Sequence, residues 1–354
     1  MSMKLRSALL YGLVALAGIL APLTDTLEPY TFQLAVLWIM ILFALTWDIM
    51  GGQMGYFSFG NIFFFGAGMY VCMLIQIGLY YDVAEYTAHF GAVPIHFTLR
   101  EYFTGIFAGL AAAGLASVAF AVVLGSGVFG LRGHYFAIGT LGLAIAGAEV
   151  LGGVDYVGGG GGITVPIYPG DPDDRALFFY YLCFALALAT FAFLRWLYAT
   201  RFGLAINAIR DDEEKAEGMG VHTKRYKTIA WAISAFFLGI SGGVFGNMSG
   251  FIEPLEVAFP WATYGVFMVL MVILGGKGTL WGPVIGAVLF HVIKETTWTY
   301  LLGWQWVALG AMIILIVIFL QQGILGWARD RWPEFFGLTV DEETMAAPRR
   351  EAAE

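Results

Sequence analysis

The side chains able to do chemistry are few and scattered. His89, His96, His134, His222 and His291 share no ligand spacing, whereas zinc sites draw their histidines from tight intervals such as one helical turn. Cys72 and Cys183, the only cysteines, each sit inside an apolar run, where a thiol packs as a small hydrophobe. Gly276-Lys277-Gly278-Thr279 carries the glycine and lysine of a phosphate loop, but Gly278 stands where a Ser or Thr must follow the lysine to reach magnesium. The run Gly158–Gly162 has no Gly-Lys pair behind it. No nucleotide site, metal, cofactor or catalytic constellation is therefore expected, and the chain is not expected to be an enzyme. Asp48, Glu149, Lys294 and Glu295 lie within or at the ends of apolar stretches. Ionisable residues there can couple ions to transport, but positions near stretch ends, or side by side, favour structural pairing.

One segment gathers charge. It runs Arg201-Phe202-Gly203, then Ala208-Ile209-Arg210-Asp211-Asp212-Glu213-Glu214-Lys215-Ala216-Glu217-Gly218-Met219-Gly220. Asp211 is expected to cap a helix, with Glu214 three residues on closing a capping box. Gly220 suits a left-handed stop, and Lys224, Arg225 and Lys227 follow at the negative helix end. The pattern predicts a short helix lying on the membrane surface. Ala216 and Met219 are expected on one face, Glu213 and Glu217 on another. A dedicated helix of this kind suggests a docking piece.

The elements that position this segment are transmembrane helices. The 354 residues are 59% hydrophobic and 12% charged, with a mean hydropathy of +0.77. Soluble domains carry roughly 25% charged residues, so the solvent here is lipid. The net charge of -8 says little, because orientation follows where Lys and Arg sit. Apolar windows of about 20 residues, enough to cross the hydrocarbon, fall near 7–24, 32–50, 61–80, 102–125, 134–152, 176–198, 227–249, 261–276, 281–300 and 304–322. The first, behind Lys4 and Arg6, has a poor cleavage site near Ala21 and is taken as a retained helix. With the N-terminus inside, inner segments hold Arg132, Arg195, Arg201, Arg210, Lys215, Lys224, Arg225, Lys227, Lys277, Arg329 and Arg331; outer loops hold only Arg100 and Arg175. That asymmetry obeys the positive-inside rule.

Two glycine-rich interruptions break the pattern, Gly51–Gly60 and Gly246–Pro254, on opposite sides of the membrane. Broken helices at matching places in inverted halves mark transporters. Irregular backbone at membrane depth lies inside protein or beside water, so Gly52, Gly55, Ser58 and Gly60 are the expected pathway residues.

The sequence resembles the LivM-type permease subunits of branched-chain amino-acid ABC importers. The docking signature Glu-Ala-Ala, three free positions, Gly appears as Glu214-Lys215-Ala216 followed by Gly220. A longer form appears as Gly203-Leu204-Ala205-Ile206-Asn207-Ala208-Ile209-Arg210-Asp211-Asp212-Glu213. Further matches are Gly52, Gly55, Ser58 and Gly60; Gly66-Ala67-Gly68-Met69-Tyr70; Leu131–Ile138; Gly250-Phe251-Ile252 with Pro254; and Leu274–Pro283. They cover roughly residues 35–326 in family order. Departures cluster elsewhere. Tyr56 and Asn61 replace a usual Gln and His, Ile145 a common Glu, Val157–Gly162 a Thr-Gly-Gly-x-Asn-Gly stretch, and Gln321-Gln322-Gly323 a Pro-Arg-Gly.

The resemblance implies an all-α membrane fold of roughly ten helices with broken segments. Residues 1–30 would hold the first helix, 31–326 the permease domain with a coupling loop at 199–226, and 327–354 a cytoplasmic tail. It implies a multi-pass protein of a bacterial inner membrane, both termini cytoplasmic. Its partners would be a second permease subunit, two cytoplasmic ATPases that bind the ATP, and an external substrate-binding protein. Ala208, Arg210, Asp211, Glu213, Glu214, Ala216, Glu217 and Gly220 would couple to the ATPase. A permease for urea, short amides or small carboxylates, and a stand-alone secondary transporter, remain the alternatives.

Overall fold

The computed structural model describes residues 12, 14–24, 27–88, 97–301, 303–319 and 322–331. Apolar runs become helices because a backbone in lipid must satisfy its own hydrogen bonds. The helices are α1 (Val14–Leu23), then α2 (Thr31–Gly51), α3 (Asn61–Gly78), α4 (Val83–Ala88), α5 (Leu99–Val128), α6 (His134–Gly152), α7 (Pro172–Tyr198), α8 (Arg201–Asp211), α9 (Glu213–Gly218), α10 (Thr223–Ser249), α11 (Tyr264–Gly275), α12 (Gly282–Tyr300), α13 (Gln305–Phe319) and α14 (Gly323–Arg331). Six of them, α2, α3, α5, α6, α7 and α10, are long and apolar enough to cross a membrane, α2 together with the turn before it. The expected spans near 7–24 and 304–322 are described only in part, and of the tail only the portion within α14.

The span expected at 261–276 is shorter than that window. At 12 residues, α11 covers about 18 Å at 1.5 Å per residue, too little to cross alone. A π-helical turn, Pro254–Ala258, precedes it, capped by the Glu253 carboxylate, which accepts from the amide of Leu255 at 3.0 Å. The interruption expected at Gly246–Pro254 begins later than its glycines suggest. Helix α10 runs on to Ser249 and stops at Gly250 in the left-handed region. The next residues form a two-residue strand, β2 (Phe251–Ile252), antiparallel to β1 (Ile163–Thr164) behind the glycine run, with Ile163 opposite Ile252.

Helices α3, α5 and α10 form the tightest packing unit, with α2 wedged between α10, α7 and α12. Helix α6 stands apart, exposing Tyr135, Ile138 and Val150. Cys72 and Cys183 are buried and free, as packing thiols should be. The motif Leu274–Pro283 is the turn of a close hairpin between α11 and α12. A Cβ on Gly275 would stand 1.7 Å from the Gly282 carbonyl oxygen, and one on Gly286 1.8 Å from that of Met271. The bundle thus has two ends. One carries residues 52–60, the α5–α6 turn, α8, α9 and the 276–281 turn. The other carries the β1–β2 ladder and Arg175, whose guanidinium donates to the last carbonyls of α10, at Asn247 (3.2 Å) and Met248 (3.0 Å).

Candidate functional site

The charged loop folds as two helices. Thr200 caps α8, its hydroxyl accepting from the Phe202 amide at 3.2 Å. Asp212, in extended conformation, separates α8 from α9. It is Asp212 and not Asp211 that caps α9, accepting from the Lys215 amide at 3.0 Å. The expected box of Asp211 with Glu214 does not form. Asp211 ends α8 and takes a bond from the Arg210 Nε at 3.1 Å, while Glu214 pairs with Arg132 at 3.4 Å in the open. The stop is as expected. Gly220 has φ +89°, and the amides of Val221 and Gly220 return to the carbonyls of Ala216 (3.0 Å) and Glu217 (2.9 Å). That is the paired closure of a Schellman ending.

The faces differ from the expected ones. Ala216 is 1% exposed and Met219 75%; α9 ends at Gly218, so Met219 lies beyond the helix and turns outward. Glu213 and Glu217 do share a side, but their carboxylates are taken up within the chain. Glu217 accepts from the Thr223 hydroxyl. Glu213 accepts from the Lys227 ammonium and from the Tyr56 hydroxyl. Lys227 is 1% exposed, and its Nζ also donates to the Tyr56 hydroxyl oxygen at 2.6 Å. It lies 4.1 Å from the centre of the Tyr56 ring. Lys227 is therefore a buried partner and not a solvated cation at a helix end like Lys224 and Arg225. Burial pushes the Glu213 carboxyl up, but the bonds from Lys227 and Tyr56 outweigh it and hold the group below its ordinary range. Burial, and the carboxylate beside it, push the Tyr56 hydroxyl up. Removing one partner of such a pair costs about 3–5 kcal/mol.

Among the expected pathway residues, Gly55 borders a cavity. It has φ +78° and, with Tyr56, Phe57 and Phe59, lines a space of about 670 Å³ closed by Arg132, His134 and Glu213. Gly52 is hemmed in by Asp48 and the Gly278 amide. Ser58 is buried, its carbonyl accepting from the Trp47 indole at 2.7 Å. A Cβ on Gly60 would meet Trp231 at 2.9 Å. A second, apolar cavity of about 400 Å³ lies higher on α6, walled by Phe63, Tyr70, Phe120, Gly147 and Phe259. The first cavity also touches Asp212 and Glu214, but its acids are engaged in a helix cap and in ion pairs, and the second is apolar. Among the described residues no three His, Cys, Asp or Glu side chains converge as metal ligands; His89 and His96 lie outside the described residues. Lys294 and Glu295 pair with each other at 2.8 Å.

The site thus combines a surface helix, a buried ion pair beneath it and an adjoining cavity. The family described as "Branched-chain amino acid transport system / permease component" matches residues 30–320. The chain belongs to this family. It is a multi-pass membrane permease component, not an enzyme. It is 28% identical over 325 residues to the high-affinity branched-chain amino acid transport system permease protein LivM of Escherichia coli, covering 84% of this chain and 74% of that one. The LivM protein of Salmonella typhimurium matches to the same extent. The galactose/methyl galactoside import permease protein MglC of Salmonella typhimurium is 31% identical over 149 residues, 39% of this chain and 42% of that one. No solved structure matches. As a permease component the chain works within a larger transport system. Sequence reasoning placed Lys227 on the inner side of the membrane but missed its pairing with Glu213 and Tyr56. The signals were there: Tyr56 stands at a family departure, and Lys227 is the last cation before an apolar span.

Proposed function

We propose that this permease component carries branched-chain amino acids across a bacterial inner membrane, with a second permease subunit, two ATPases and an external binding protein. The observation that carries the reading is α9. It is a capped and closed surface helix at one end of a bundle whose glycine-lysine motif serves a helix hairpin and not a phosphate. Energy must then enter by contact, and ATP binding in the partners would bias two arrangements of the bundle. The docking residues would be the outward ones, Arg210, Asp211, Glu214, Lys215, Glu217 and Met219, seated on a scaffold of Ala208, Ala216 and the engaged carboxylate of Glu213, with Gly220 closing the helix. The pathway would open inward through the cavity beside Gly55.

Reversing Glu213 and Glu217 would also break their bonds to Lys227, Tyr56 and Thr223, so the test uses Lys215 and Met219. In proteoliposomes holding the complete importer, ATP should drive uptake of leucine offered with its binding protein, unaffected by excess urea. Lys215→Glu with Met219→Asp should lower copurifying ATPase and uptake together by about tenfold or more, as loss of a contact anchor and a charge reversal do. Full uptake by that variant would remove α9 from the docking surface, and urea competition would reassign the substrate.

The orientation is tested separately. Cys72 and Cys183 are buried, so single cysteines can be added without removing them. With the N-terminus inside, a cysteine at Asp173 should react with an impermeant thiol reagent from outside, and one at Asp212 only after permeabilisation. The reverse pattern would invert the bundle.

A further inference from the structure

The docking helix holds the membrane body from its inner side, and one of the parts it holds is the broken segment. Glu213 of α9 shares its carboxylate between Tyr56 of that segment and Lys227 of α10. Gly55 fits beneath Arg210, with 3.3 Å between a would-be Cβ and the Arg210 Cγ. From Tyr56 the contacts lead on to α6. The Tyr56 ring meets Phe136 edge-on, centres 5.2 Å apart. Phe136 stacks on Phe129 at 5.6 Å, and Phe129 meets Trp231 at 5.3 Å. Three residues on, the Phe59 amide donates to the Thr140 hydroxyl of α6 at 3.1 Å. Helix α6 borders both cavities, with His134 and Ala137 at one and Leu143, Ala146 and Gly147 at the other. It is also the least enclosed of the six long helices, packing elsewhere on α3 and the Pro254–Ala258 turn.

We propose that Tyr56 is a positioning residue that ties the docking helix to α6, so that α9, residues 55–60 and the first turns of α6 move as one body. A displacement of α9 by the ATPases would then tilt α6 and change both cavities. Packed aromatic contacts and a buried ion pair shift as units instead of deforming smoothly. This rests on the docking reading, but the two fail differently. Docking fails when the outer-face variant keeps its ATPases; the tie fails when docking persists and coupling is unaffected by loss of the Tyr56 hydroxyl.

The test uses the complete importer in nanodiscs and proteoliposomes. Tyr56→Phe keeps the ring against Phe136 and removes both hydroxyl bonds. The ATPases should still copurify in wild-type amounts, while leucine moved per ATP hydrolysed falls about tenfold, within the 5–150-fold range of coupling between sites. Spin labels at Met219 and Tyr135, both 75% exposed, report the tie directly. Their separation should be the same in nucleotide-free and ATP-vanadate-trapped importer, and should differ between those states in Tyr56→Phe. Lys227→Glu alone should lose coupling, and adding Glu213→Lys should recover much of it, which a role in bulk packing would not allow. Wild-type uptake per ATP in Tyr56→Phe, loss of its ATPases, or an unchanged label separation across states in that variant would each overturn the proposal.

Discussion

Gly242→Leu should leave little folded protein. Helices α3, α5 and α10 cross at backbone contact through Gly68, Gly239 and Gly242. A Cβ on Gly242 would stand 2.0 Å from the carbonyl oxygen of Phe65. One on Gly68 would stand 2.2 Å from that of Gly239, and one on Gly239 2.7 Å from that of Ala113. Lipid tails are as apolar as leucine, so membrane helices associate through close packing, and small residues at the crossing permit it. Overpacking a core costs about 1–3 kcal/mol where side chains can yield. Here the obstacle is backbone in the neighbouring helix, so the helices must separate and lose dispersion contacts along their length. The control is Gly142→Leu on α6, where nothing lies within 4 Å of an added Cβ. Detergent-solubilised Gly142→Leu should elute and melt like the parent, whereas Gly242→Leu should aggregate or melt far lower. Equal melting would mean that the crossing is looser than its distances imply.

What the sequence disclosed and what it withheld divide along a physical line. Properties set by neighbours in the chain were legible. The long spans follow from apolar length, the break at residues 52–60 from its glycines, and the stop at Gly220 from the one residue type at ease with φ +89°. The capping residue was not legible, because Asp211, Asp212 and Glu213 offer three acids in succession and local chemistry does not choose among them. The choice is made at a distance. Turning Glu213 inward to Lys227 and Tyr56 leaves Asp212 at the cap and sends Glu214 outward. Tyr56 and Lys227 are separated by 171 residues, beyond any pattern in a single stretch. The packing role of the Leu274–Pro283 motif was hidden in a similar way. Its glycines permit α11 and α12 to touch, which is a property of two helices and is visible in neither.

Asp48 is where the same division has a functional consequence. Its carboxylate is buried at the end of α2, where it accepts from the Gly278 amide at 2.8 Å and from the Gln53 amide nitrogen at 3.4 Å. It thereby fastens α2 to the α11–α12 turn beside Arg210. Asp48→Leu fills the space but leaves the Gly278 donor without that partner, at a cost of about 1–3 kcal/mol or more, since the lost acceptor is a carboxylate. Asp48→Asn keeps a carbonyl oxygen for Gly278 and should retain most of the stability. A carboxylate that carried a coupling proton would show a different pattern, because neither leucine nor the amide can take up and release a proton, so both variants would lose transport whatever their effect on folding. Melting temperature and ATP-driven leucine uptake should therefore fall together in Asp48→Leu and hold together in Asp48→Asn, with the proton gradient collapsed by an ionophore in both. An Asp48→Asn protein that melts like the parent yet transports nothing would make Asp48 part of the transport cycle and not a fastening between helices.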